Sequence, residues 1–472
     1  MRYKVYVTAL VLFFAAGILC LTSSCKKEKF LASGGRLVFS ADTLAFDTVF
    51  TAQGTATRSV KIYNPQSQPV KISRIDLRKG ESSFFRINVN GTSGYSVSNQ
   101  IELAANDSMY VFMTAKIDPT NANNPFVIDE ALEVVMNNST FTLPVRAYGQ
   151  NAVYITDSVL STQTWTKDKP IVIIHSALVD ANATLTIDPG TRVYMHADSW
   201  LYVNGTLTIN ATKSDSVVFQ GDRIDRSYFD YIDLPGEWQG IRFLRNSTNS
   251  SINYAVVKNA AIGIQVDSVS NNGAPKLKMK NTVVKNCSQF GVLNLNGDID
   301  MENCLVHTCG VNISAIMGGK MNVRQCTFAS YGYDYMMHSE SNNNIVMYLQ
   351  NYLDITPTQY QAEDLSAVFT NCIFYGPLDN EVGFAKRDGS NMAVTLNNCL
   401  LKRKDSSPVY VTLSNCILND DPLFVDRTKY DFHLKPESPA KDKGAPGPAI
   451  PATDLDGNPR VGNPDIGCYE VQ

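Results

Sequence analysis

The sequence predicts an all-β chain in two parts, an antiparallel β-sandwich followed by a parallel β-helix. Three observations predict it. Between residues 36 and 150, short runs alternate apolar and polar residues and are separated by turn clusters. The string TLTI occurs at 184–187 and again at 206–209, 22 residues apart, which matches one coil of a solenoid with three short strands. Asn-Cys or Gln-Cys pairs then recur at 286–287, 303–304, 325–326, 371–372, 398–399 and 415–416, each flanked by Val, Leu, Ile or Phe. A polar residue beside a small apolar one, repeating inside β-type runs, is what a stack of coils needs at one fixed corner. A β-propeller would instead need blades of about 40–45 residues.

The chain begins with an export signal. Arg2 and Lys4 supply a positive start, Val5 to Leu21 an apolar run, and Thr22-Ser23-Ser24-Cys25 a small-residue processing site. The ending resembles a bacterial lipobox of the looser kind used by Bacteroidota, with Thr22 where Leu is usual. The resemblance implies that residues 1–24 are removed and that Cys25 carries a lipid anchor in the outer membrane. Residues 25–35 form a short tether whose net basic Lys26-Lys27-Glu28-Lys29 leaves the membrane face open.

In the 36–150 module the strand runs are 36–40, 58–63, 69–73, 108–113, 132–136 and 140–145. The order FDTVFTAQGTATRSVKIYNPQSQPVKISRI, FRINVNG, IELAANDSMYVFMTAKIDP resembles the immunoglobulin-like sandwich of the ASH/Hydin kind. Such modules space or bind. From 151 to 420 the coil period drifts between 17 and 28 residues, with Gly-led strands at 240, 263, 291 and 310. That stretch supplies roughly ten to twelve coils and a rod some 50 Å long at about 4.8 Å per coil. The tail, 421–472, carries DPLFVD, DFHLKPESPAKDKG and TDLDGNPRVGNPDIGCYE in order, and so resembles the terminal coil and cap of the right-handed parallel β-helix proteins called choice-of-anchor Q. This resemblance implies a fold and no reaction.

Composition narrows function. A net charge of −4 and a pI near 5.8 leave no basic field for nucleic acid. Ten cysteines in an exported chain suggest disulfides, but in-register stacked cysteines have parallel Cβ vectors that oppose the bond, so reduced, buried thiols are expected. No Cys/His spacing suggests zinc and no cofactor is called for. Parallel β-helices commonly cleave acidic polysaccharides, yet the chain has no Asn-Thr-Asp with Asp-Asp, no Gly-His-Gly and no Arg-Ile-Lys. His175 and His196 are 21 residues apart and read as a stacked polar pair on adjacent coils.

Two insertions interrupt the period. The first, 221–238, carries Asp222, Asp225, Tyr228, Asp230, Asp233 and Trp238, a mixture of acid and aromatic suited to sugar binding or to Ca²⁺, and equally to a loop folded over the flank. The second, 331 to about 364, is rich in Tyr and Met and suits a partner surface or a cover. Asp-Ser/Thr-apolar triplets place Thr43, Thr48, Ser108, Ser158, Ser216 and Ser268 in a context that resembles the O-glycosylation acceptor of Bacteroidota. Three functions follow as expectations: a non-catalytic lipoprotein that spaces or binds glycan or an envelope complex, a polysaccharide lyase or hydrolase, or an accessory of an outer-membrane assembly machine.

Overall fold

A one-residue bend repeated at the corners of a coil organises most of this chain. The computed structural model describes residues 29–98, 101–120, 123, 125–224, 234–331 and 344–471. Two compact units meet in sequence at Gln150 and Asn151, with 121–124 assigned to the second.

The first unit is a sandwich of two sheets. One has five strands, with Ser108–Ala115 between Arg58–Tyr63 and Phe85–Val89; the other has six, centred on the long hairpin Phe126–Met136 and Ser139–Gln150. Alternation carries it: Val60, Ile62, Val111, Met113, Phe85 and Ile87 point into one core, against Val134, Met136, Leu143 and Val145 of the facing sheet. Five strands fall outside the six alternating runs, Leu44–Phe50, Phe85–Val89 and the short Thr92–Gly94, Ser96–Val97 and Ile101–Leu103. The first of these pairs parallel to Ser139–Gln150, so the sandwich is not wholly antiparallel.

The second unit is a parallel β-helix. Ten strands, from Gln163–Trp165 to Val411–Ser414, stack in one sheet that forms the first face. Nine steps of ~4.8 Å make this stack roughly 43 Å long. Eighteen more form a continuous sheet that wraps the second and third faces. Register is kept by inward columns: on the first face Leu185 lies on Leu207, and Met279 on Met301 and then Val323. On the second face Phe328 and Phe374 stack at 5.0 Å with planes 2° apart. Each fully buried Leu, Ile or Phe contributes about 1.5–3 kcal/mol.

The corners explain the Asn-Cys pairs and divide them. Asn303, Gln325, Asn371, Asn398 and Asn415 all have φ between +48° and +55° and sit between the first and second faces. Asn286-Cys287 belongs instead to the corner between the second and third faces, where Asn259-Ala260 precedes it and Thr308-Cys309 follows. The six pairs therefore form two columns, because a period near 22 does not reveal which corner a residue occupies. Asn tolerates the left-handed region by hydrogen-bonding locally. The following Cys points inward, and its thiol donates to the carbonyl two residues back, as Cys304 does to Glu302 (3.3 Å) and Cys372 to Thr370 (3.3 Å). Thr282 fills the same place and makes the same bond to Lys280 (2.7 Å). All eight described cysteines are free, and seven are buried.

The C-terminal cap runs back along the flank. Phe424, Phe432, Leu434, Leu455, Ile466 and Cys468 pack over Leu305, Ile373 and Leu400, so on these coils the second face is buried on both sides. The segment also reads the first corner column: Asn398 donates to Lys443 (3.1 Å), Asn371 exchanges bonds with Ala445 (2.9 and 2.8 Å), and Asn303 donates to Thr453 (2.6 Å). Asp454 and Asp465 are buried acceptors of backbone N–H groups within the tail motif. Those motif acids organise a loop.

Candidate functional site

The first insertion and the first part of the second leave the coil at the same corner. The stretch from 331 to 364 is not one loop, since Met347–Gln350 is a third-face strand and the hairpin Tyr352–Thr356/Gln359–Ala362 leaves between the third and first faces. The first follows Val217–Gly221 and the second follows Thr327–Ala329, each before the next strand of the third face. Asp222 and Trp238 frame the first; Asp225, Tyr228, Asp230 and Asp233 lie outside the described residues.

Trp238 is not a stacking surface. Its side chain is fully buried and its indole N–H donates to the Lys258 carbonyl (2.9 Å), because the residue opens a strand of the third face with its ring turned into the core. Asp222 is also withdrawn: its side chain is 4% exposed and bonds Nδ1 of His196 at 2.6 Å, while the His196 side chain is 44% exposed. Burial raises the Asp222 pKa, and the His196 contact opposes that rise. His175 occupies the same corner one coil earlier, with φ +60°, and pairs with Asp157 at 2.9 Å. The two histidines each take an aspartate in place of stacking on one another.

Beside this corner the third face presents an aromatic and polar patch. In Trp200–Val203, Leu201 and Val203 are buried, so Trp200 and Tyr202 face outward, with ring centroids 5.4 Å apart and planes 16° apart. In register with Tyr202 on the next coil is Arg242, whose Nε is 2.7 Å from Asp267. Gln265 donates to the other oxygen of Asp267 (2.8 Å), and Gln239 donates to Asp198 (3.0 Å). The rings offer apolar faces, and the Arg242–Asp267–Gln265 chain offers fixed donors and acceptors, a pairing suited to C–H faces and hydroxyls of a sugar. Sequence reasoning missed this patch. Trp200 and Tyr202 share one parity, but Trp-Leu-Tyr-Val is apolar or aromatic throughout, so the sequence does not mark which pair faces outward.

Elsewhere in the unit, Tyr352 and Tyr360 hold Arg387 between them (4.6 and 4.7 Å to the rings), and Arg387 pairs with Asp354 (3.0 Å). Among the described residues, no group of three or more His, Cys, Asp or Glu could hold a metal ion. Thr43 is exposed just before the strand Leu44–Phe50, whereas Thr48, Ser108, Ser158, Ser216 and Ser268 are half-buried. Cys25 and its signal lie outside the described residues.

No family model matches the chain. No curated protein matches it either. Similar solved structures include a family 123 glycoside hydrolase from Clostridium perfringens, 13% identical with a TM-score of 0.17, covering 25% of this chain and 26% of that one. The E. coli chaperone DraB is 8% identical with a TM-score of 0.18, covering 26% and 57%. The ASH/PapD-like domain 7 of human CEP192 is 11% identical with a TM-score of 0.17, covering 28% and 94%. The chain thus spans about a quarter of the first of these and just over half of the second.

Proposed function

We propose that this is a lipid-anchored, non-catalytic lipoprotein of the outer membrane whose β-helix binds glycan on its third face. The observation that carries the reading is the outward pair Trp200 and Tyr202 beside Arg242, held by Asp267. The lipobox-like ending at Cys25 supports the anchor, and the tail motifs support kinship with choice-of-anchor Q lipoproteins behind an ASH/Hydin-like module. In-register charges support a rigid spacer: Lys280, Glu302 and Arg324 alternate in sign on successive coils, at 3.1 and 3.3 Å. O-glycosylation at the Asp-Ser/Thr triplets fits an exported chain of this kind.

Two experiments test it. Metabolic palmitate should label the full chain and not Cys25→Ser. A glycan array should show at least one glycan whose binding Trp200→Ala/Tyr202→Ala abolishes while circular dichroism stays unchanged; equal binding of every glycan by that variant sinks the glycan reading of the third face. An accessory role in an envelope complex is the outcome if membranes yield a stable partner and the array is blank.

A second reading, cleavage of an acidic glycan, is favoured by one observation. His196 is oriented through Nδ1 by a buried carboxylate, and among the described residues its Nε2 has no hydrogen-bond partner, which is an arrangement suited to a general base. Release of reducing ends or unsaturated products by the full chain, lost in His196→Ala, would establish it.

A further inference from the structure

The outer surface of the five-stranded sheet in the first unit is aromatic and cationic. Its central strand, Ser108–Ala115, buries Met109, Val111 and Met113, which turns Tyr110 and Phe112 outward. These rings stack 5.8 Å apart, with planes 16° apart, and remain 46% and 43% exposed; Tyr63, on the adjoining strand, is 38% exposed. An uncovered apolar group on a sheet whose other side fills a core calls for an occupant.

Charge and neighbours indicate which. Lys61 lies in register with Tyr110, its ammonium 4.9 Å from the ring. Asn88 lies in register with Phe112 and Arg86 with Thr114. Next to Phe112 a shallow pocket of about 420 Å³ is lined by Arg86, Asn88, Ser93 and Thr114. Asn88 donates to Ser93 Oγ (2.8 Å), which fixes the amide, and Arg86 lies 3.4 Å over the Tyr95 ring. Neither Lys61 nor Arg86 is in an ion pair with a carboxylate among the described residues. On a chain of net charge −4, this is a local field of the opposite sign.

We infer that this face of the sandwich binds an anionic polysaccharide of the uronic-acid type, with sugar C–H faces on Tyr110 and Phe112 and carboxylates at Lys61 and Arg86. Aromatic rings accept the apolar faces of pyranoses, and an anionic polymer rather than a neutral one satisfies both cations. The site belongs to the sandwich alone and does not depend on the β-helix reading.

The test titrates the full chain calorimetrically with oligogalacturonate, oligoalginate and hyaluronate fragments, and with a neutral cello-oligosaccharide of equal length. The expected result is binding of at least one anionic fragment that Tyr110→Ala/Phe112→Ala weakens, with any binding of the neutral one left unchanged by that variant. Affinity for that fragment should fall about tenfold or more in Tyr110→Ala/Phe112→Ala. Lys61→Gln should weaken binding and flatten its salt dependence, and it carries the test alone if the double variant loses its circular dichroism signature. The inference is overturned if no anionic fragment binds, if Tyr110→Ala/Phe112→Ala binds the anionic fragments like the parent, if that variant loses neutral binding to the same degree, or if anionic lipid vesicles bind at this face and the fragments do not.

Discussion

At each corner two adjacent residues do different work: the first bends the backbone into the left-handed region and the second fills the space inside. Asn371 shows both its local and its longer-range role, since its amide is also the anchor for Ala445. Asn371→Ala should therefore cost about 2–5 kcal/mol, combining ~1–2 for the backbone with two lost hydrogen bonds of ~0.5–1.5 each. Asn371→Gly should recover the backbone share only, and urea midpoints separate the two. The partner residue needs a small side chain that can donate, as Thr282 demonstrates. Cys372→Thr should accordingly be tolerated better than Cys372→Ala, by about 1 kcal/mol. Thiol reactivity should be equally local. Burial pushes Cys304, Cys326, Cys372 and Cys399 well above the usual thiol range, whereas a hydrogen bond from Cys399 draws the half-buried Cys416 down to about 7. Iodoacetamide at pH 8, read by mass spectrometry, should label Cys416 first among the eight described cysteines.

Among the elements, the C-terminal segment is held by a titratable latch. His433 sits between Asp431 (2.6 Å at Nδ1) and Asp456 (3.0 Å at Nε2), stacks on Tyr469 at 3.9 Å, and Asp456 also pairs with Lys213 of the coils (2.9 Å). Two ionised carboxylates can each accept a hydrogen bond only if the ring carries both protons. Burial opposes that charge, but the bonds to Asp431 and Asp456 outweigh it and raise the His433 pKa. The sign follows from linkage: a raised folded pKa gives stabilisation that is complete below the unfolded value, near 6.5, and is lost as pH rises through the folded value. Hydrogen exchange across 451–471 should speed up as pH is raised past that point, after correction for intrinsic rates. His433→Gln should remove the step, and a step that survives it would place the titration elsewhere. The tail was legible as a terminal motif, but its path was not. Strands such as Leu305–His307 and Ile373–Tyr375 lack alternation, which in hindsight marks a face covered on both sides; read alone, three apolar residues say nothing about what covers them.

For the molecule as a whole, the division into two units has a spectroscopic counterpart. All three tryptophans, Trp165, Trp200 and Trp238, lie in the β-helix and none in the sandwich. Urea unfolding followed by tryptophan fluorescence should thus report the β-helix alone, while far-ultraviolet circular dichroism reports both, and the two curves should not coincide. Coincident curves would show a single cooperative block. The sandwich and coil period were readable because alternation and a repeat near 22 survive in sequence. Trp238 misled because an aromatic in an apparent loop was in fact the first inward residue of the next strand. The Trp200 patch escaped because strand parity shows only once register is fixed. One last consequence lies in how the tail meets the corner asparagines. Lys443, Ala445 and Thr453 are matched in order to Asn398, Asn371 and Asn303, so the tail counts coils. Duplicating or deleting a repeat between Asn303 and Asn398 would put that count out of step, and growth or shrinkage of the solenoid is thereby confined to coils before Lys213, where the tail's reach ends.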